Sequence, residues 1–201
     1  MTIMAREKTV CIVDDDADVR DSLEILLRRS GYRILSFGSA RAFLETGLKA
    51  GNLCVLADIR MPEMDGLALQ REINRTMPGL PVIIMTGHGD VPMAVQAMKE
   101  GAVDFLEKPF EKAILTGAIE SALSRNAAPQ PDPPAPPRKA LTDREKDVFD
   151  LLVEGHQNKV IAYKLGISTR TVEVHRGRVM DKLGARNLAD LIKYGLRQKP
   201  G

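Results

Sequence analysis

The stretch NAAPQPDPPAPPRK at 126–139 holds six of the chain's 12 prolines and no aliphatic side chain larger than Ala. Proline lacks a backbone donor and fixes φ, so such a run carries neither a helix nor an inner strand. Whatever lies on either side must build its own core, which divides the 201 residues into domains at 1–125 and 140–201 joined by a linker at 126–139. Extended as polyproline II, the linker spans roughly 43 Å at ~3.1 Å per residue and acts as a semi-rigid spacer. Both parts have the material for a core, since 44% of the chain is hydrophobic and 28% charged. That balance excludes wholesale disorder, a collagen repeat and a disulfide scaffold. The net charge of +2 is unevenly shared: residues 1–125 carry 15 Lys and Arg against 18 Asp and Glu, residues 126–201 carry 14 against 9. The basic part is the candidate for nucleic acid.

Apolar runs such as 53–57 and 82–85 are far shorter than the ~20 residues of a membrane span, and residues 1–8 lead into a strand pattern without a signal-peptide core. A cytoplasmic protein without a membrane partner is expected. Cys11 and Cys54 each sit inside an aliphatic run, which suits a buried thiol better than a disulfide.

Before the linker, strand-like runs at 9–14, 33–37, 52–58, 81–86 and 103–107 alternate with helical patterns. Val19, Leu23, Leu26 and Leu27 keep helical spacing before Gly31, Ser39 suits the cap of a second helix, and further helices fit 67–76, 91–99 and 111–124. Runs apolar on both faces and joined by helices predict a five-stranded parallel, doubly wound sheet of flavodoxin-like type, whose ligand crevice lies outside the carboxyl ends of the strands. Asp14, Asp15 and Asp16 follow the first strand, Asp58 ends the third, Thr86 ends the fourth and Lys108 follows the fifth. Carboxylates brought together there repel one another unless a cation intervenes, and oxygen ligands suit Mg²⁺. A carboxylate also serves as a nucleophile toward phosphorus, with Lys108 to neutralise phosphoryl oxygens and Thr86 to offer one a hydroxyl. Taken singly, Asp14 or Asp58 fits a helix cap or a turn better than a site; taken together they favour the site. Asp16 and Asp18 fit the first turn of the following helix, where the helix dipole favours negative charge.

VDDDADVR at 13–20, ADIRMPEMDG at 57–66, MTGHG at 85–89 and FLEKPF at 105–110 resemble the motifs of the response-regulator receiver domain over residues 8–125. The resemblance implies that Asp58 accepts a phosphoryl group and that Asp14, Asp15, Asp58 and the backbone carbonyl of Arg60 hold Mg²⁺. It further implies that Lys108 pairs with the phosphate, and that Thr86 and Phe105 form a switch in which an aromatic ring enters space vacated by the hydroxyl. The other reading of Phe105 is plain core. The family's loop here often carries a cis peptide before the residue matching Pro109. His88, between two glycines, fits a solvated loop residue or a ligand.

After the linker the pattern is wholly helical, at 142–154, 158–165, 168–183 and 187–196, predicting an all-α four-helix domain. Thr142 and Glu145 have capping-box spacing, Ser168 suits an N-cap, and Gly155, Gly166 and Gly184 follow the first three helices. Residues 156–201 hold ten Lys and Arg against three Asp and Glu. The second helix, the turn at 166–168 and the third helix have helix-turn-helix spacing, in which the later helix enters the major groove. At about 100° per residue, Val172, Val179, Met180 and Leu183 fall inward, while Arg170, Glu173, Val174, Gly177 and Arg178 fall opposite. A glycine inside a helix costs about 0.5 to 1 kcal/mol, which makes sense at Gly177 if the backbone approaches DNA and is otherwise simply tolerated.

Residues 141–185 resemble the LuxR-type helix-turn-helix of the NarL/FixJ class, without a β wing. The likeness implies that Glu173, Val174 and Gly177 face base edges while Lys159, Thr169, Arg170, Thr171, Arg176 and Arg178 grip phosphates. Many members carry Asn where Arg178 stands. GHGDVPMAVQAMKEGAVDFLEKPF at 87–110 with RTVEVHRGRVM at 170–180 is most similar to the FixJ branch, regulators of nitrogen-fixation genes. The whole then implies a two-component transcription factor. A sensor histidine kinase phosphorylates Asp58, the receiver dimerises through residues near 91–105, and the homodimer binds double-stranded promoter DNA and works with RNA polymerase. Such a chain catalyses only its own phosphorylation and slow dephosphorylation. The competing readings are a phosphohydrolase acting through Asp58, and a protein-binding receiver whose basic part meets RNA or acidic partners.

Overall fold

The computed structural model describes residues 7–48, 51–87, 91–125, 140–185 and 188–198; the linker at 126–139 and His88 lie outside them. In chain order the elements of the first part are β1 (Thr9–Val13), α1 (Ala17–Arg28), β2 (Arg33–Phe37), α2 (Ala40–Leu44), β3 (Leu53–Asp58), α3 (Gly66–Thr76), β4 (Val82–Thr86), α4 (Val91–Lys99), β5 (Asp104–Glu107) and α5 (Lys112–Arg125). Four helices follow, α6 (Asp143–Val153), α7 (Asn158–Leu165), α8 (Thr169–Leu183) and α9 (Leu188–Gln198). The described residues form two compact units, one drawn from 7–87 and 100–125, the other from 91–99 and 140–198.

In the first unit the strands form the expected five-stranded parallel sheet in the order β2-β1-β3-β4-β5. Every residue of β3 and β4 is buried, the signature of inner parallel strands covered on both faces, whereas in edge strand β2 only Ile34 is buried. Val10, Ile12, Cys54, Leu56, Ile83, Met85 and Leu106 point to one side and pack with Leu23 and Leu27 of α1 and Leu115, Ile119 and Leu123 of α5. Because successive side chains alternate, Cys11 and Val55 project to the other side. Cys11 and Cys54 therefore face opposite ways, both as free thiols, and burial pushes the Cys11 thiol up to about 12, which keeps it unreactive. Caps set the local boundaries. The Asp16 carboxylate accepts from Asp18 N (2.9 Å) and Val19 N (3.3 Å), Ser39 caps α2, and Asp65 caps α3 one residue earlier than apolar spacing alone predicts.

In the second unit Thr142 and Glu145 form the anticipated capping box, and Gly155, Gly166 and Gly184 take positive φ at the ends of α6, α7 and α8. Val148, Phe149, Leu152, Ile161, Val172, Val179 and Leu183 are buried, while Met180 is half-buried. The side chain of Glu145, only 3% exposed, also reaches α8: Lys182 Nζ donates to its Oε2 at 2.6 Å, and Thr142 N donates to the same oxygen at 2.8 Å. Lys182, with Thr142 behind it, holds this carboxyl down at about 2, from an ordinary 4.5. A depressed carboxyl lends stability that is complete above its unfolded value and fades as pH falls toward the folded one. Between pH 4.5 and 2, the helical melting temperature of the wild type is therefore expected to drop more steeply than that of Glu145→Gln. Thermal melts followed by far-ultraviolet circular dichroism check this, and parallel pH slopes would refute it.

Candidate functional site

Strand alternation places the polar side chains at the carboxyl edge. Asp14 is in step with Val10 and Ile12, Asp58 with Cys54 and Leu56, and Lys108 with Leu106, so all three emerge on the side covered by α1 and α5. Lys108 Nζ donates to Asp14 Oδ2 at 2.8 Å and to Asp58 Oδ1 at 2.6 Å, joining three strands around one ammonium. The remaining carboxylate oxygens are also held. Asp16 N donates to Asp14 Oδ1 (2.9 Å) and Arg60 N to Asp58 Oδ2 (2.7 Å). Both carboxylates are buried; Asp15 and the Arg60 side chain are exposed. Burial pushes the Asp58 carboxyl above its ordinary value, with Asp14 adding to that, while Lys108 and Arg60 N pull it back. For Lys108, burial acts to lower the pKa, and the two carboxylates together outweigh it and raise the ammonium above its ordinary range.

Two supports of this cluster give no signal along the sequence. Arg20 of α1 donates through Nη1 to the Asp14 carbonyl at 2.7 Å, fastening the loop that carries the acidic residues. At Gly66, a Cβ would run into the carbonyl oxygen of Asp58, so only glycine lets the start of α3 press against the end of β3. Between them Met64 N donates to Pro62 O at 2.6 Å, a tight turn that holds Glu63 at φ 62°, the one described non-glycine residue in the left-handed region. The peptide between Lys108 and Pro109 is cis.

Thr86 and Phe105 lie on the other side of the sheet. Ile84 pairs with Phe105 and Thr86 with Glu107, so the Thr86 hydroxyl and the Phe105 ring project from one face, two register positions apart. Both are buried, and the Thr86 hydroxyl donates to Gly87 O at 3.2 Å.

In the second unit, α7 ends at Gly166 in left-handed conformation and α8 begins behind Ser168, whose Oγ accepts from Thr171 N at 3.1 Å. This is helix-turn-helix geometry. Burying Val172, Val179 and Leu183 leaves Thr169, Arg170, Glu173, Val174, Gly177 and Arg178 exposed, with Val174 47% accessible. Thr171 and Arg176 are half-buried, and Lys159 of α7 is exposed. His175 is half-buried at the helix flank, its Nδ1 enclosed without a hydrogen-bond partner among the described residues. A Cβ on Gly177 would meet nothing within 4 Å, so packing within the protein does not require a glycine there. Among the described residues no helix is long and apolar enough to cross a membrane, and no three His, Cys, Asp or Glu side chains gather as a ready metal-ligand set.

Residues 10–120 match the response regulator receiver domain family and residues 139–194 the luxR family of bacterial regulatory proteins. The chain belongs to the response regulators, as one that couples a receiver to a LuxR-type DNA-binding domain. It is 46% identical to the transcriptional regulatory protein FixJ of Azorhizobium caulinodans over 96% of this chain and 94% of the relative. It is 40% identical to the response regulator protein TmoT of Ectopseudomonas mendocina, over 96% and 90%. Among solved structures, full-length FixJ from B. japonicum superposes with a TM-score of 0.56 at 40% identity, covering 96% of this chain and 98% of that one.

Proposed function

We propose that a sensor histidine kinase transfers a phosphoryl group to Asp58 and that this modification switches dimerisation and promoter binding. The observation that carries the reading is the ion-paired cluster in which Lys108 holds the carboxylates of Asp14 and Asp58 together at the edge of the sheet. An Asp58 oxygen attacks phosphorus, the bond to the donor imidazole nitrogen breaks, and that nitrogen leaves with the electron pair. Lys108 follows the charge onto the phosphoryl oxygens. Attack by water later returns inorganic phosphate and the free carboxylate. The hard, oxygen-only donors of Asp14, Asp15, Asp58 and the Arg60 carbonyl fit Mg²⁺, which when bound neutralises phosphoryl oxygens. Thr86 then exchanges its bond to Gly87 O for one to the phosphoryl group, and Phe105 moves into the space it leaves, altering the surface near 91–105 through which two receivers pair.

In this reading the receiver is 1–125, the linker 126–139 and the DNA-binding domain 140–201. Two α8 helices meet two half-sites. Glu173, Val174 and Gly177 face bases, and Lys159, Thr169, Arg170, Thr171, Arg176 and Arg178 hold phosphates. The bound dimer engages RNA polymerase, and nitrogen-fixation genes are the favoured targets because FixJ relatives reach 44% to 46% identity. Treating the full chain with acetyl phosphate and Mg²⁺ is expected to double its mass in sedimentation and to tighten its binding to duplex DNA. A monomer with unchanged affinity would overturn the switch. Gly177→Ala is expected to raise the melting temperature of the second unit, since Ala is about 0.5 to 1 kcal/mol better in a helix, while weakening DNA binding through the added methyl. Unchanged affinity would remove Gly177 from the interface.

A further inference from the structure

The carboxylate of Glu145 has two partners, and only one of them belongs to the start of its own helix. Lys182, in the last turn of α8, donates to Glu145 Oε2 at 2.6 Å and to the carbonyl of Ala140 at 3.3 Å. Ala140 is the first described residue after the proline-rich linker. The DNA-reading helix is thus tied by one ammonium to the start of α6 and to the point where the chain arrives from the linker. The Lys182 side chain is 25% exposed and that of Glu145 3%. Desolvation offsets part of the attraction in a buried ion pair, so stability alone does not account for it, and the best-attested use of such a pair is to fix a register. Val172, Val179 and Leu183 decide which face of the helix is buried, and to that packing the ion pair adds a directional contact fixed at one point along the axis.

We propose that the contact of Lys182 with Glu145 and Ala140 O registers α8 along its axis against α6, making Glu145 and Lys182 positioning residues for base reading. The inference rests on α8 being the helix that enters the groove. Lys182 lies one turn beyond Arg178, so the rival role for it is a direct phosphate contact, and the two roles give different salt dependence. A lost phosphate contact lowers the slope of log affinity against log salt by about one, whereas a shifted register leaves the number of phosphate contacts unchanged.

The test uses the full chain treated with acetyl phosphate and Mg²⁺. Its probes are the duplex that the wild type selects from a randomised pool and a shuffled duplex of equal composition. Lys182→Met removes the ammonium, and Glu145→Gln keeps an acceptor for Thr142 N while removing the charge. Each is expected to lower the ratio of specific to shuffled affinity about tenfold, the worth of roughly one base contact, with helicity and salt slope as in the wild type. The double variant should fall no further, as for two residues acting through one contact. An unchanged ratio in both single variants, or a Lys182→Met slope shallower by about one, would overturn the proposal. A wild type that prefers no duplex would overturn the DNA-reading role of α8, and this inference with it.

Discussion

Asp58→Asn is expected to abolish phosphoryl uptake from acetyl phosphate and Mg²⁺ while leaving the receiver folded and about as heat-stable as the wild type. The two effects separate because what makes the carboxylate available to phosphorus also makes it costly to bury. Its pKa is raised by burial, so the folded state holds a proton at Asp58 more tightly than the unfolded chain does. Charged Asp58 therefore weakens the fold, increasingly as pH rises from its ordinary 3.8 toward the raised folded value and by a constant amount above that. The amide removes that penalty and gives up one acceptor, toward either Lys108 Nζ or Arg60 N. Intact-mass spectrometry reads the uptake. Melting temperatures across pH read the linkage, with the wild type losing stability relative to the variant as pH rises. Full phosphoryl incorporation into Asp58→Asn would remove Asp58 as acceptor, and a collapse of its melting temperature would show that the carboxylate is structural.

Lys108→Met tests the other end of the same cluster and should harm both chemistry and fold. It leaves the Asp14 and Asp58 carboxylates facing one another, both buried, without the ammonium that now lies between them. Removing one partner from a buried ion pair strands the other charge, at a cost on the order of 3 kcal/mol at neutral pH. Loss of a preorganised cation from the developing phosphoryl charge is worth ~100-fold or more in rate. Added Mg²⁺ should restore stability more in this variant than in the wild type, because a cation that binds only the folded state stabilises by mass action. Urea unfolding with and without Mg²⁺ and phosphorylation time courses measure both effects. Rates within a few-fold of the wild type would exclude Lys108 from phosphoryl transfer.

Much of this architecture is written locally. Parallel strands covered on both faces must be apolar without interruption, and β3 and β4 are read from that property alone. Ser39, Thr142 and Ser168 bond to backbone within three residues of themselves, so spacing suffices to mark them as caps, whereas Asp16, expected in the first turn of α1, is its N-cap. Asp65 escaped the same reading because the apolar pattern of α3 begins at Leu67, one residue inside the helix that Asp65 starts. Gly66 shows the opposite case. It resembles any glycine beside an acidic turn, and the reason that no side chain fits lies in the carbonyl of Asp58 across the loop.

From its sequence alone, then, the chain determined two domains, their strand and helix order, several of their caps, and a set of polar residues at strand ends, because periodicity, chain stiffness and capping act over a few residues. Only the tertiary structure decided which of those polar groups meet. Lys108 reaches Asp58 across 50 positions and Asp14 across 94, and Lys182 reaches Glu145 across 37. Asp15, as close in sequence to the cluster as any residue, keeps its side chain exposed. A charged pair separated by such lengths of chain forms only once register and burial have set the distance and excluded the water that would otherwise screen it.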